Sequence, residues 1–300
     1  MKLKKIILAA AVGLSLFGLT ACTSSKGPGT KNVVTMKGDT IEVIDVYNEG
    51  VKYPTLGTTQ LVQNLTFSKI FEKDLGKTVT NKEVMAQFDK AKDQYGDSLD
   101  SYLQQEGLTQ ETYKESIRLK LLQTAAIDKE IKATQYTDDA IKKAWETYYP
   151  EVDTYIYSSV TKDDVQKQHD QAASDFAAFK KTADSSGLEQ KFDSSNTTIP
   201  HEVQEAAIKL TDGQSSEIIP VQADSTGTTT YYFVYMIKNP GKNAADMSKY
   251  KSQIKNYIKV TKENDSAYTA GVMKTYLTKH NVTVKEKALS NIFSNFTGAS

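Results

Sequence analysis

Apolar residues recur every three or four positions through the first half of the chain, which is the spacing of an amphipathic helix. One such run covers residues 60–75, and the next, 81–95, follows the capping-box sequence Thr80-Asn81-Lys82-Glu83. The apolar positions after Thr109 make a longer stripe of the same period. Several helices are therefore predicted before residue 150.

A second helical pattern occupies the end of the chain, after a break at Asn239-Pro240-Gly241. Apolar and aromatic residues between Met247 and about His280 share one broad face. A helix of that length cannot bury such a stripe alone, so it must pack against another element. The stripe over residues 109–132 offers a partner.

Short strand patterns lie at both ends of this helical region. Residues 33–36 and 41–43 flank a turn that contains a Gly-Asp pair, so they predict a hairpin, with which the run 282–284 could pair. The two ends of the chain are therefore predicted to form one discontinuous helical domain, residues 33–150 and 239–286.

The stretch between the two helical arms has a different pattern. Apolar and polar residues alternate over 152–157, an aromatic-rich strand pattern covers 231–237, and a helical segment covers 163–181. A separate unit of strands and helices is predicted over residues 151–238. The predicted fold class is thus α+β, a mainly helical domain with an inserted α/β domain.

The first 21 residues have the anatomy of a secretory signal peptide. Three of the first five residues are lysines, and the apolar run that follows, 6–19, is too short for an ordinary membrane span. The run ends in Leu19-Thr20-Ala21-Cys22, which resembles the lipobox of bacterial lipoproteins. Residues 1–21 are predicted to be removed, and Cys22 to become an N-palmitoyl and S-diacylglycerol cysteine. The alternative is an ordinary signal peptide with a chance cysteine.

The residues that follow the predicted lipid-attachment site are predicted to be a flexible linker. Residues 22–32 are small and polar and contain Gly-Pro-Gly, so they predict a flexible stalk above the membrane. Two or more acyl chains anchor a protein stably, whereas one chain binds only marginally. At the other end of the chain, residues 287–300 are predicted to be a frayed tail.

Charge and cysteine content exclude several classes of function. Acidic and basic residues are equal in number, and loss of residues 1–21 removes three lysines and leaves a net charge of −3. No concentrated basic block follows Lys5, so nucleic-acid binding is not expected. Cys22 is the only cysteine, and an internal disulfide is therefore impossible.

The usual catalytic and metal-binding constellations are also missing. The three histidines, His169, His201 and His280, show no metal-ligand spacing, and no phosphate-binding loop or nucleophile elbow is present. No metal and no cofactor are predicted. The acidic pair Asp138-Asp139 is interpreted as the first turn of a helix, where carboxylates interact favourably with the helix dipole.

Several short motifs resemble the PrsA family, the foldase lipoproteins of Gram-positive bacteria. In chain order they are Thr78-Val79-Thr80-Asn81-Lys82-Glu83-Val84, Gln94-Tyr95-Gly96-Asp97, the stretch from Gly107 to Leu119, and Trp145-Glu146-Thr147-Tyr148-Tyr149-Pro150-Glu151-Val152. The resemblance covers residues 1–150, and these motifs come after the lipobox-like sequence that ends at Cys22.

The resemblance implies a function for the chain. It would be an extracytoplasmic foldase, lipid-anchored to the cell membrane of a Gram-positive bacterium, that assists newly secreted polypeptides. The family has a helical chaperone domain with an inserted parvulin-type peptidyl-prolyl isomerase, and a homodimer is possible at the family level. The alternative from another class is a solute-binding or adhesive surface lipoprotein, with which the signal peptide, the stalk and the charge agree equally well.

The parvulin signature itself is degenerate. Parvulins have a histidine on the first strand and another on the last, and the corresponding positions here are Tyr155 and Phe233. Thr198 stands where the family has methionine, and Val203 approximates its phenylalanine. Isomerisation needs no nucleophile, only a surface that binds the twisted amide better than the planar one. With its polar residues replaced, the site is predicted to be weak or inactive as an isomerase.

Aromatic and apolar residues of the insert are the candidates for a peptide-binding groove. The alternative interpretation, ordinary core, must hold for about half of the strand residues. None of the histidines is expected to replace the missing pair: His169 is predicted to be solvated, His201 to lie on the surface at a helix start, and His280 to end the last helix. The groove candidates are Tyr155, Tyr157, Ile199, Tyr232, Phe233 and Tyr235.

Overall fold

A computed structural model describes residues 28–222 and 227–297 of the chain. The predicted signal peptide, Cys22 and most of the predicted stalk lie outside the described residues, as do the last three residues of the predicted tail. Helices and two small sheets confirm the predicted α+β fold class. Among the described helices, none combines the length and the apolar character that crossing a membrane requires.

The described elements follow one another in a simple order. Short 3-10 turns occur at 28–30, 96–98, 244–250 and 287–289. The strands and helices are β1 (Asn32–Met36), β2 (Asp39–Glu42), α1 (Val43–Lys52), α2 (Thr58–Leu75), α3 (Asn81–Tyr95), α4 (Leu99–Gln105), α5 (Gln110–Thr134), α6 (Asp138–Thr147), β3 (Val152–Ser159), α7 (Lys162–Ser174), α8 (Phe176–Ser185), β4 (Glu189–Phe192), α9 (His201–Ala207), β5 (Ile219–Gln222), β6 (Thr229–Lys238), α10 (Lys251–Asn264), α11 (Ser266–Lys279), β7 (Thr283–Val284) and α12 (Ser294–Thr297).

The chain divides into two compact units. Unit 1 contains the described residues up to Ala133 and from Lys262 onward, and unit 2 contains Thr134–Thr261. Unit 2 is longer at both ends than the predicted insert, 151–238. Within unit 2, α6 joins the aromatic group that also holds Tyr250, because Trp145 stacks on that ring at 5.9 Å. The predicted domain limits stay a prediction.

The two chain segments of unit 1 meet in one three-stranded antiparallel sheet with the order β2-β1-β7. Thr35 pairs with Thr40 across the hairpin and with Thr283 of β7. Gly38 has a φ of 80°, which a residue with a side chain rarely adopts, so the hairpin turn needs glycine here. The sheet thus joins the two chain segments that form unit 1.

The core of unit 1 packs this sheet against α2, α5 and α11. Phe71 is fully buried at its centre, with its ring 5.5 Å from that of Phe67 and 5.0 Å from that of Tyr276. Ile292 and Phe293 are also buried in this core, and Phe293 packs edge-on against Phe67 at 6.0 Å. The prediction of a frayed tail from residue 287 is therefore wrong for the part of it that the structure describes, because its apolar side chains pack.

The single arginine of the chain joins three segments of unit 1. The Arg118 guanidinium donates to both carboxylate oxygens of Glu72, at 2.5 and 2.8 Å. It also donates to the backbone oxygens of Gly76 and Val79, at 3.1 and 2.9 Å. Because carbonyl groups at a helix end lack partners within the helix, this contact stabilises the end of α2 and the turn that follows.

Two predicted helices are each divided by an aspartate. Asp265 separates α10 from α11, and its Oδ1 accepts from the backbone N–H groups of Ala267 and Tyr268. Asp175 separates α7 from α8, and its Oδ1 accepts from the N–H of Ala178 at 3.1 Å. A side-chain oxygen that caps a new helix competes with continuation of the old one, which is why apolar spacing alone missed both breaks.

Unit 2 is built on a four-stranded antiparallel sheet with the order β4-β3-β6-β5. Helices α7 and α8 pack on one face of the sheet, here called the α7/α8 face, and α9 packs on the other, the α9 face. Since successive residues of a strand point to opposite faces, β3 and β6 contribute alternate side chains to two separate cores.

A lysine side chain caps the C-terminal end of α6, the helix that precedes the sheet of unit 2. The Lys242 ammonium donates to the backbone oxygens of Trp145, Glu146 and Tyr148, at 2.7–2.9 Å, and lies 5.3 Å from the centre of the Trp145 ring. Burial lowers the pKa of Lys242, although nearby Glu146 opposes the change. A cation at this position satisfies carbonyls at the end of α6 and interacts favourably with the helix dipole.

Candidate parvulin-like site

The strand register of unit 2 decides which candidate residues lie together. Tyr155 and Phe233 both belong to the core of the α7/α8 face. The two residues do not pair with each other across the sheet. Tyr155 pairs with Tyr235, and Phe233 pairs with Tyr157. Neither β3 nor β6 contains a histidine, so the absence of a histidine pair does not depend on how the family motif is aligned.

Tyr155 is fixed by packing and by hydrogen bonds. Its side chain is 2% exposed, and the edge of Phe179 meets its ring at 5.8 Å. Its hydroxyl donates to Oδ1 of Asp184 at 2.5 Å and accepts from Lys180 Nζ at 3.1 Å. Burial, reinforced by the Asp184 carboxylate, raises the pKa of Tyr155. The phenol therefore stays protonated near neutral pH and is not a base.

Phe233 is completely enclosed on the same face. The ring of Phe179 lies 5.6 Å away, and the imidazole of His169 packs edge-on against Phe233 at the same distance. Aromatic contacts of this kind add stability beyond that of area burial. The position that corresponds to the second family histidine thus serves as core.

Ile199 and Val203 lie on the opposite face of the sheet. Both are buried in the α9 face, with Ile156 of β3 and Val234 of β6. Thr198, which precedes them, is exposed. The four substituted parvulin positions are therefore divided between two faces and a surface loop.

A network of polar groups fixes the loop that leads into α9. Oδ1 of Asn196 accepts from the backbone N–H groups of Thr198 and Ile199, at 2.9 and 2.8 Å. The buried Gln204 amide donates to the Ile199 carbonyl at 2.7 Å, and its oxygen accepts from the Tyr149 hydroxyl at 2.6 Å. Burial and then the charge of Asp193 raise the pKa of Tyr149, so its hydroxyl stays a donor. The loop is held in place by side chains of its own unit.

The groove candidates have different surroundings. Tyr155, Ile199 and Phe233 are buried in two closed cores, so they do not line an open groove. Tyr157 and Tyr235 are half-buried on the α7/α8 face, and Tyr232 is half-buried on the α9 face. The side chains with access to solvent are therefore not on one surface.

An aromatic residue that the sequence patterns did not single out completes the accessible part of the α7/α8 face. The partly exposed Phe176, the first residue of α8, stacks on Tyr235 at 4.4 Å. Its position depends on the helix break at Asp175, which apolar periodicity does not reveal.

The three histidines occupy three kinds of site. His201 begins α9 with its side chain 82% exposed and pairs with Glu205 at 3.3 Å, as predicted for a surface residue. The prediction that His169 is solvated is wrong, because most of its side chain is covered at Phe233. His280 ends α11 and is buried beside Asp74. No metal-binding group of histidine, cysteine and acidic side chains occurs among the described residues.

Two open concavities of the described structure lie away from the candidate residues. One, of about 380 Å³, is lined by residues of unit 1 that include Leu277 and Phe293. The other, of about 450 Å³, is lined in unit 2 by residues 208–212, Asn239 and Gly241. Neither is lined by any of the candidate residues.

Comparisons of sequence define the family. The chain is 46% identical over 305 residues to the foldase protein PrsA of Lactococcus lactis, a match that covers 100% of this chain and 98% of that protein. It is 37% identical to the foldase protein PrsA of Enterococcus faecalis, over 98% of this chain and 86% of that protein. A search against protein-family models finds no match.

Solved structures agree with the sequence relatives. A crystal structure of PrsA from Lactococcus lactis matches with a TM-score of 0.72 and 47% identity, over 89% of this chain and 99% of that one. PrsA from Streptococcus pneumoniae matches with a TM-score of 0.67 and 32% identity, over 88% and 99%. A helical unit joined to a small α/β unit is thus the fold of known foldases. The chain belongs to the PrsA foldase family, which confirms the predicted function class and does not favour a solute-binding or adhesive lipoprotein.

Proposed function

We propose that the protein is a lipid-anchored, extracytoplasmic foldase that assists newly secreted polypeptides by binding them and catalyses prolyl isomerisation weakly or not at all. Its partners are unfolded chains that emerge on the outer side of the membrane. Binding of an unfolded chain shifts its equilibria by mass action and needs no ATP. The predicted homodimer stays a prediction.

The observation that carries the proposal is the packing of the two histidine positions. Tyr155 and Phe233 are enclosed by Phe179 and their neighbours on the α7/α8 face. The Tyr155 hydroxyl is held by Asp184 and Lys180. An isomerase must bind the twisted amide in an accessible cleft, and these side chains are not accessible to a peptide.

Support for the proposed lipid anchor comes from the sequence. Cys22 follows a short apolar run and small residues, and it is the only cysteine of the chain. A diacylglycerol on its sulfur and an acyl chain on its amino group would hold the mature chain at the membrane, where exported polypeptides emerge. The membrane would then be the site of action.

An aggregation assay with a client that contains no proline tests the binding function. Residues 23–300 are expected to suppress aggregation of such a denatured client in proportion to their concentration, because holding requires exposed apolar segments and not an X-Pro bond. Light scattering after dilution from denaturant measures the effect, with an unrelated monomeric protein of similar net charge as the control. Suppression that appears only with proline-containing clients would contradict the proposal.

A further inference from the structure

Helix α1 carries an apolar stripe that the described residues of its own unit leave exposed. Ile44, Tyr47 and Val51 are spaced three and four residues apart, so their side chains share one face of the helix. Their exposures are 43%, 67% and 66%. The described residues contain six exposed large hydrophobic side chains in all, and half of them lie in this stripe. Such a cluster marks an interaction surface more strongly than scattered single residues do.

The helix that carries the stripe is firmly held by unit 1. At its start, the N–H of Glu42 donates to Asp45 Oδ2 at 2.8 Å. Just after its end, the buried Tyr53 hydroxyl donates to the Thr112 carbonyl at 3.1 Å, and Lys52 pairs with Glu115 of α5. The inner side of α1 packs on the core of unit 1 through valines. The stripe is therefore presented rigidly.

The start of the described chain lies beside the first residue of the stripe. A Cβ placed on Gly29 would lie 3.6 Å from the Cβ of Ile44, so the turn at 28–30 packs on α1 at this point. Six residue steps separate Pro28 from Cys22, and even a fully extended chain of that length spans only about 20 Å. If lipid is attached at Cys22, α1 is restricted to the neighbourhood of the membrane surface.

We propose that the Ile44–Tyr47–Val51 stripe docks on the lipid surface at which the proposed anchor ends. The proposal rests on the lipid attachment at Cys22. A tyrosine with an apolar ring and a polar hydroxyl suits the boundary between headgroups and acyl chains. The tether supplies a high effective concentration, so three side chains are enough for a contact that would be weak in free solution. Docking orients unit 1 on the membrane.

The charges around the stripe predict how this contact responds to salt. Asp45 and Glu49 flank it, while Lys52 and Lys31 are paired with Glu115 and Glu286. Acidic flanks do not attract anionic lipids, so the contact must come from apolar burial. Added salt is therefore expected to leave it intact, in contrast to a contact made by a basic patch.

A second copy of the chain fits the stripe less well. A stable protein interface buries roughly 800 Å² on each partner. Even a fully buried aromatic side chain supplies only about 150–250 Å², and Ile44, Tyr47 and Val51 are each already partly covered, so the three together supply less than the required area.

The test places one reporter on the stripe and a matched reporter elsewhere. Val51→Cys and Val160→Cys differ in place but not in exposure, because Val51 is 66% and Val160 is 67% exposed. The thiol of lipidated Cys22 is blocked, so an environment-sensitive fluorophore reacts only with the new cysteine. Each mature, lipidated protein is incorporated into vesicles of phosphatidylglycerol and phosphatidylcholine in equal parts.

The expected result is a difference between the two positions. The probe at residue 51 should shift to shorter wavelength and become quenched by a lipid-borne quencher, and the probe at 160 should do neither. Adding Ile44→Ser and Tyr47→Ser to the Val51→Cys protein should abolish the shift while circular dichroism stays unchanged. The same probe on the chain without lipid should show no shift at the same vesicle concentration.

Other outcomes separate the two proposals. Failure of the mature chain, produced with its own residues 1–21 in a Gram-positive host, to carry lipid at Cys22 and to float with the vesicles would refute the anchor. Flotation with an unshifted probe at residue 51 would refute docking and leave the anchor standing. A shift that requires an added unfolded client would show a client-binding surface, and a shift that depends on protein density in the membrane would show a contact between copies. Either result would overturn the assignment to lipid.

Discussion

Asp74→Asn is expected to lower the free energy of unfolding of unit 1 by about 1–3 kcal/mol at neutral pH, the cost of leaving a buried polar group without its hydrogen-bond partner. Oδ2 of Asp74 accepts from Lys279 Nζ at 2.6 Å and lies 3.1 Å from Nε2 of His280. The Asp74 side chain is 13% exposed and that of His280 is 6% exposed. Loss of the carboxylate would leave His280 buried without its partner.

The effect of this substitution should depend on pH. Burial alone would raise the pKa of Asp74, but hydrogen bonds and charge interactions with Lys279 and His280 lower it overall. A carboxyl whose pKa is lowered by folding stabilises the protein above its unfolded pKa, about 3.9 for aspartate, and loses that contribution as the pH falls through the folded value. The difference between the two proteins should therefore shrink in acid below about pH 4.

Urea unfolding followed by amide hydrogen exchange in α2 and α11 measures this change. The matched control is Asp89→Asn, at an exposed position of α3, for which a change below about 0.5 kcal/mol is expected. Equal effects of the two substitutions, or a difference that does not change in acid, would show that the Asp74 contacts contribute little.

Phe71→Ala is the second substitution with a large expected effect, about 3–5 kcal/mol of the unfolding free energy of unit 1. The ring is fully buried between Phe67 and Tyr276, so its removal leaves a cavity that α2 and α11 cannot both close. Phe71→Leu should cost less, because most of the volume remains.

The two units can be followed separately in this experiment. The only tryptophan, Trp145, lies in unit 2 and reports on that unit by fluorescence, while hydrogen exchange in α2 reports on unit 1. Met85→Ala, at an exposed position of α3, is the control and should change stability by less than about 0.5 kcal/mol. A loss in unit 1 no larger than that of the control would contradict the described packing.

Local signals in the sequence predicted a large part of the fold. The Thr80–Glu83 capping box begins α3 as expected, with both reciprocal hydrogen bonds present. The predicted hairpin is present because its two apolar runs and the Gly-Asp turn between them specify it locally. These features depend on residues close together in the chain, and they can therefore be predicted from the sequence.

Features that depend on distant contacts were missed. Residues 287–300 were predicted to be a frayed tail, but Ile292 and Phe293 are buried in the core of unit 1, which the sequence does not locate. The α1 stripe resembles an ordinary amphipathic face, and only the structure shows that the described residues of unit 1 leave it exposed.

The candidate site was predictable only in part. The loss of histidine at Tyr155 and Phe233 is visible in the sequence. Which face of the sheet each side chain occupies depends on strand register, and a motif comparison does not determine that register. The structure places Ile199 and Val203 behind the sheet, away from Tyr155 and Phe233.

A protease-coupled prolyl isomerisation assay on residues 23–300 is the most direct test of the proposed weak or absent isomerase activity. A parvulin that has both histidines is the positive control. Uncatalysed X-Pro bonds isomerise in about 10–100 s at 25 °C, which sets the background. The enclosed Tyr155 and Phe233 predict a rate at or close to this background, even at protein concentrations that suppress aggregation of a client. Turnover comparable to that of the control parvulin would show that the enclosed Tyr155 and Phe233 do not prevent isomerase activity.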